Sequence, residues 1–292
     1  MNGFSASEAA LEGFLLTRER PAAIAAWTGV YAICMVVLGE VMLKSLGPEA
    51  MEIARKGRLS PQDAEVIATK LSGSVPAFLL VLLLAVTLVS IITAGIYRLV
   101  LRPNETGFVH LRFGADELRL TAMNLILFAI GMVCLVLGFA VIAAAESASP
   151  ALAVVVASAV AIGTIWVGVR LSLATPMTFQ TRHLSLRAAW ELTRGQFLPM
   201  LFMIFLSVIF YVIIWVLITV IWFVAVRVIG GPDALTSGDG TAALIAGAAG
   251  FVISMLIQVI QLLMIYAPFA VAYQQLHGDR PANPSRVRAE PA

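Results

Sequence analysis

Residues 184–201 read LSLRAAWELTRGQFLPML. They begin as a charged helix and end by entering a long apolar run, and that join decides the fold. At about 100° per residue, Leu186, Trp190, Thr193 and Phe197 fall within about 60° of one another and form one apolar stripe. Arg187, Glu191 and Arg194 lie on the next stripe, at spacings that each add a few tenths of a kcal/mol to a helix. A helix so divided lies flat on a membrane, its apolar side at the headgroup boundary and its charges in water. Trp190 carries the ring type enriched at that boundary. Two roles fit such a segment: an elbow that orients the next helix, or a recognition surface for anionic lipid.

The composition extends this reading to the whole chain. Of 292 residues, 60% are hydrophobic and 12% charged, and the mean hydropathy is +0.95. Soluble domains carry about 25% charged residues, so this is a membrane protein. A net charge of +2 is too small to indicate nucleic acid. Cys34 and Cys134 both fall inside apolar runs and read as inert thiols rather than a disulfide framework or metal site. Arg18 and Arg20 precede the apolar stretch 22–46, as in a signal peptide. That stretch exceeds the roughly 7–15 residues of a signal h-region, so it reads as a retained transmembrane helix.

A helix needs about 20 apolar residues to cross the hydrocarbon layer. Six segments qualify: 22–46, 76–101, 120–144, 151–175, 198–227 and 242–274. Only ESASP (146–150) separates the third from the fourth, so those two form a tight hairpin. The expected fold is therefore an all-α integral membrane protein with six transmembrane helices. One side of the membrane receives Arg18, Arg20, Arg98, Arg102, Arg112, Arg119, Arg170, Arg182, Arg187, Arg194, Arg280, Arg286 and Arg288. The other receives Lys44, Arg55, Lys56, Arg58, Lys70 and Arg227. The positive-inside rule places the first set, and with it both termini, in the cytoplasm. The location expected is the bacterial cytoplasmic membrane. In the outer loop, LSPQDAEVIATKL (59–71) predicts a short surface helix, with Ser60 as N-cap, Pro61 in the first position and Asp63 in the first turn.

A repeat runs through the inner segments. FLLT (14–17), LRLT (118–121) and WELT (190–193) share an apolar-x-Leu-Thr pattern, each just before an odd-numbered membrane helix. Ser5 and Glu8 form a capping box ahead of the first, and Asp116 and Glu117 suit the first turn of the second. The chain thus reads as one domain, 1–280, of three hairpin units at about 5–101, 114–175 and 184–275. Each unit is preceded by an amphipathic helix on the cytoplasmic side, and 281–292 is read as a disordered tail.

The stretch VRLSLATPMTFQTRHLSLRAAWELTRGQFLPMLFMIFL (169–206) resembles bacterial multi-pass proteins with a glycerophosphodiester-phosphodiesterase-type membrane domain, to which the YciC-like proteins are similar. The features shared are an arginine near a helix end, a small residue before proline, and Ala-Ala-Trp-x-Leu-Thr-x-Gly. RPNETGFVHLRFGADELRL (102–120) looks like a connector in the same group. The resemblance implies a cytoplasmic-membrane location. It carries over no phosphodiesterase activity, because a catalytic barrel needs roughly 200 further residues.

Chemistry is sparse in the sequence. His110, His183 and His277 lack the spacing of metal ligands. No nucleophile sits in a motif with a base, and no glycine-rich phosphate loop or paired-carboxylate motif is present. No cofactor and no enzymatic activity are expected. Ionisable residues at membrane depth are the default functional pointers. Glu40 reads either as an interfacial partner of Lys44, four residues on, or as a coupling carboxylate facing the bundle. Arg98 and Arg170 end even-numbered helices, where they snorkel to phosphates or rim a headgroup pocket. Arg187 and Arg194 join them as candidate lipid-headgroup contacts. Gln258 and Gln261 lie mid-membrane and either bond a neighbouring helix or line a pathway. Ala242, Ala246 and Gly250, like Ala159 and Gly163, form small-residue rows that allow close helix approach. The aromatic fifth helix is expected to be the most lipid-exposed. Together these features point to a non-catalytic membrane protein with an accessory or lipid-associated envelope role and membrane lipids as partners. The alternative is a small secondary transporter or lipid flippase using Glu40, Gln258 and Gln261, and an intramembrane enzyme is the third reading.

Overall fold

Long apolar runs have no choice but to be helical in a bilayer, since only a helix satisfies its backbone hydrogen bonds within one segment. A computed structural model describes residues 4–56, 60, 65, 69–70, 73–103, 110–228 and 240–278. Its helices are α1 (Ala6–Glu19), α2 (Pro21–Lys56), α3 (Val75–Leu101), α4 (Ala115–Ala148), α5 (Pro150–Leu171), α6 (Ala174–Thr181), α7 (Leu186–Leu192), α8 (Phe197–Val228) and α9 (Gly240–His277). No strand occurs among the described residues. Six stretches are long and apolar enough to cross a membrane: Pro21–Ser45, Val75–Leu101, Ala115–Ala148, Pro150–Thr181, Phe197–Arg227 and Ile245–His277. The chain is a multi-pass, all-α membrane protein. The helix expected over 59–71 and the tail 281–292 lie outside the described residues, apart from isolated positions in the former.

Local signals set the helix ends. α2 breaks at Gly47, whose φ of 78° only glycine adopts freely. Ser149 alone separates α4 from α5; its hydroxyl accepts the Leu152 N–H, and Pro150 opens the next helix. Neighbours in the chain pack on one another as α2 on α3, α4 on α5 and α8 on α9, while α9 also meets α1, α2, α3 and α6. Apolar side chains cover the outside, among them Leu198 at 73% exposure, as expected of walls that face lipid. The fully buried side chains gather toward one end of the bundle, where α3 stops and α4 starts: Trp27, Tyr97, Leu120, Phe179, Met200 and Tyr273. Of the first set of arginines, Arg98, Arg102, Arg112, Arg119 and Arg182 lie together at this same end.

Three expectations change. Among the described residues the middle unit has no separate amphipathic helix, because α4 runs unbroken from Ala115 and LRLT is part of its first turns. The stripe from Leu186 to Phe197 is not one helix either. α7 stops at Leu192, Thr193 caps it with its backbone N–H donating to Ala189 O, and Gly195 turns the chain with φ 82° before α8. The fifth membrane helix, α8, is not the most exposed; the α4 and α5 spans bury a smaller share of their residues. Of the small-residue rows, Gly250 receives the Trp222 ring from α8, whereas Ala159 and Gly163 face outward.

α1 does more than rest on the surface. Ser5 Oγ accepts the Glu8 N–H, but the Ser5 N–H is taken by Gln275 Oε1 of α9 at 3.0 Å. Ala9, Ala10, Gly13 and Leu16 are buried, while Leu11, Phe14 and Leu15 face out. At Gly13 a Cβ would meet Met264 Cα at 3.1 Å and Leu263 O at 3.3 Å, both backbone atoms that cannot step aside. Gly13→Val should therefore lower the unfolding temperature of the detergent-solubilised protein, at a cost of about 1–3 kcal/mol for overpacking. Gly29→Ala, at a site with nothing within 4 Å, should leave it unchanged or raise it. Equal effects at the two sites would argue against the α1–α9 contact.

Candidate functional site

At the end of α3, Arg98 and Arg102 stand four residues apart and so share one helix face. The first turn of α4 brings Asp116 and Glu117 to meet them, where the helix dipole favours negative charge. Arg98 and Glu117, 4% and 1% exposed, form a direct ion pair. Arg98 Nη1 also donates to His110 O at 2.9 Å. Asp116 serves three cations: Arg119 at 2.9 Å, Arg102 at 3.4 Å and Arg182 at 3.8 Å. Arg102 Nη2 donates to Phe179 O at 3.0 Å, and its guanidinium lies 4.5 Å from the centre of the Phe179 ring. α6 is thus clamped against the charged end of α3. These groups line a recess of about 400 Å³ that holds Arg98, Arg102, Arg112, Arg119 and Arg182 against Asp116 and Glu117. Burial lowers the pKa of the nearby His110 imidazole, and Arg20, Arg98 and Arg112 push it the same way, so His110 adds no further positive charge near neutral pH.

A second arginine site lies where α5 ends. Arg170 is 8% exposed and lies against a pair of indoles, 4.8 Å from the Trp190 ring centre and 5.9 Å from that of Trp166. The two indoles meet edge to face at 5.1 Å. Thr193 Oγ1 donates to Arg170 O at 3.0 Å, tying the end of α7 to the end of α5. Arg170 Nε is buried without a partner, and among the described residues no carboxylate pairs with the guanidinium. Arg187 and Arg194, on either side of Trp190, are exposed, and Arg187 pairs with Glu191 at 3.0 Å.

The candidates named from sequence therefore separate. Arg98 does not snorkel to headgroups; it is enclosed, because the acid it needs stands directly opposite on α4. Arg170 is enclosed as well, but by aromatic rings rather than by an acid. Glu40 and Lys44 pair at 3.8 Å on an exposed face. Gln258 is exposed, and Gln261 accepts from Tyr211 at 3.5 Å. No hydrogen bond or ion pair joins Glu40, Gln258 and Gln261 to one another, and none of them lines the recess. Sequence reasoning missed the acids as partners and counted Arg102, Arg112, Arg119 and Arg182 only toward topology. The four-residue spacing of Arg98 and Arg102, facing Asp116 and Glu117 across a short connector, was the available signal.

Breaking one half of a buried ion pair leaves an uncompensated charge, typically at about 3–5 kcal/mol, whereas replacing both halves by apolar groups is often neutral. Arg98→Ala should thus sharply lower the unfolding temperature, and Arg98→Met with Glu117→Leu should recover most of the loss. Additive losses in the double variant would show that the pair is not coupled. In comparison with known proteins, no family model matches this chain, and no curated protein or solved structure matches it.

Proposed function

We propose that this is a non-catalytic protein of the bacterial cytoplasmic membrane whose arginine-rich end faces the cytoplasm and associates with anionic phospholipid. The observation that carries this reading is Arg170, a guanidinium nine-tenths buried with no carboxylate beside it among the described residues. A cation so placed needs an anion. The planar guanidinium matches phosphate bidentately, and aromatic faces orient it without neutralising it. Phosphates of the anionic inner leaflet stand at the depth where α5 ends and tryptophans concentrate. The recess around Asp116, with more guanidinium groups than carboxylates, adds to the same attraction. The resemblance of 169–206 to phosphodiesterase-type membrane domains belongs to this proposal, since that stretch supplies Arg170, Trp190 and Thr193. A transporter built on Glu40, Gln258 and Gln261 would need a pathway joining them, and no observation favours one.

The test is the lipid that stays bound after purification in mild detergent. Arg170→Gln should fold and lose most of its bound anionic lipid. Arg187→Gln with Arg194→Gln should lose less, because exposed charges near an acidic leaflet contribute only about 1 kcal/mol each. Unchanged lipid in Arg170→Gln, alongside loss in the double variant, would move the site to the exposed surface and sink this reading.

A further inference from the structure

A second cavity, of about 550 Å³, lies at membrane depth between α3, α4, α5, α6 and α9. Its volume falls within the roughly 300–1,000 Å³ typical of small-molecule sites. Two exposed glycines lie on its wall, where the space opens on the outer face of the bundle. Gly131 on α4 and Gly168 on α5 both line it, and a Cβ built at either meets nothing within 4 Å. The walls are mostly apolar, with Val89, Leu127 and Phe269 among them, and among the described residues no charged one lines the space. Water is a poor occupant, because a buried water needs two to four polar partners.

Asn124 is the polar feature that matters here. Its Nδ2 donates to Ser90 Oγ at 2.9 Å. Ser90 has already committed its own proton to Val86 O at 2.7 Å, so it can only accept from Asn124, and this fixes the amide's orientation. Asn124 Oδ1 is then the free end, and among the described residues no donor reaches it. An amide oxygen without a donor is costly in hydrocarbon. Nearby Thr175 is already occupied, its hydroxyl bonded to Tyr97 Oη at 2.6 Å.

We infer that this cavity binds an uncharged lipid bearing a hydroxyl group. The hydroxyl donates to Asn124 Oδ1, and the apolar body fills the volume left by Gly131 and Gly168. Anionic phospholipid is excluded, since no cation lines the space, so this site stands apart from the arginine end and does not rest on the function proposed above.

Dioctanoylglycerol serves as the probe, with its O-methyl ether as the matched compound lacking the donor. Binding to the full-length protein in detergent is read by native mass spectrometry and by the rise in unfolding temperature. The wild type should bind dioctanoylglycerol saturably and the ether about tenfold more weakly, the size of one hydrogen bond. Asn124→Leu should abolish that preference. Gly131→Leu with Gly168→Leu should unfold no lower than the ligand-free wild type and lose binding of both compounds; should that variant fail to fold, the Asn124→Leu comparison decides alone. Arg170→Gln should bind the probe as the wild type does. Equal binding of alcohol and ether by the wild type, or no saturable binding, would overturn the inference.

Discussion

Arg98 and Glu117 meet where almost no solvent reaches, and the packing at that end of the bundle is arranged round them. A charge at the edge of hydrocarbon must be hydrated or paired. Pairing here fixes the last turn of α3 against the first turn of α4. Phe179 then lies near both Arg98 and Arg102, which holds α6 in place. Gln274 of α9 donates to Val100 O at 3.0 Å, satisfying one of the carbonyls that a helix end leaves open. Three helix ends and a short buried helix thus settle their polar groups among themselves. The same enclosure takes Arg98 out of solvent, whereas the Arg170 guanidinium lies against aromatic rings with no carboxylate beside it among the described residues.

Packing is uneven along the membrane normal. Toward the arginine-rich end the core is dense with Trp27, Tyr97, Phe179 and Tyr273. Away from it the helices show Val154, Ile162, Leu217 and Phe223 to their surroundings. Glycine is used in both regimes with opposite results. At Gly13 and Gly250 the missing side chain lets another element close in, whereas at Gly131 and Gly168 nothing has closed in and a cavity remains.

Much of the fold was legible in the sequence, because membrane crossing depends on length and hydropathy, and both survive any detail of packing. All six spans were read within a few residues, the largest differences being early starts at Ala115 and a run on to Thr181. The short segments were harder. The break between Leu186 and Phe197 falls where Gly195 takes a positive φ and the Thr193 hydroxyl bonds Arg170 O, 23 residues away. α6 was missed because ATPMTFQT is weakly polar and brief, and nothing in the sequence marks Ala174 to Phe179 as buried. The site was legible in part. Arg98 and Arg170 look alike as arginines near helix ends; only the contacts across the bundle, with Glu117 for one and Trp190 for the other, tell an acid-paired cation from a ring-packed one.

The clasp of α1 on α9 also orders events during synthesis. Ser5 and Gln275 are 270 residues apart in the chain. At the translation rate of about 5–20 residues per second, the ribosome reaches Gln275 tens of seconds after Ser5. Through that interval α1 has emerged and its Ala9–Gly13 face lacks the α9 surface that covers it in the finished bundle. The first residues made are therefore among the last to find their place.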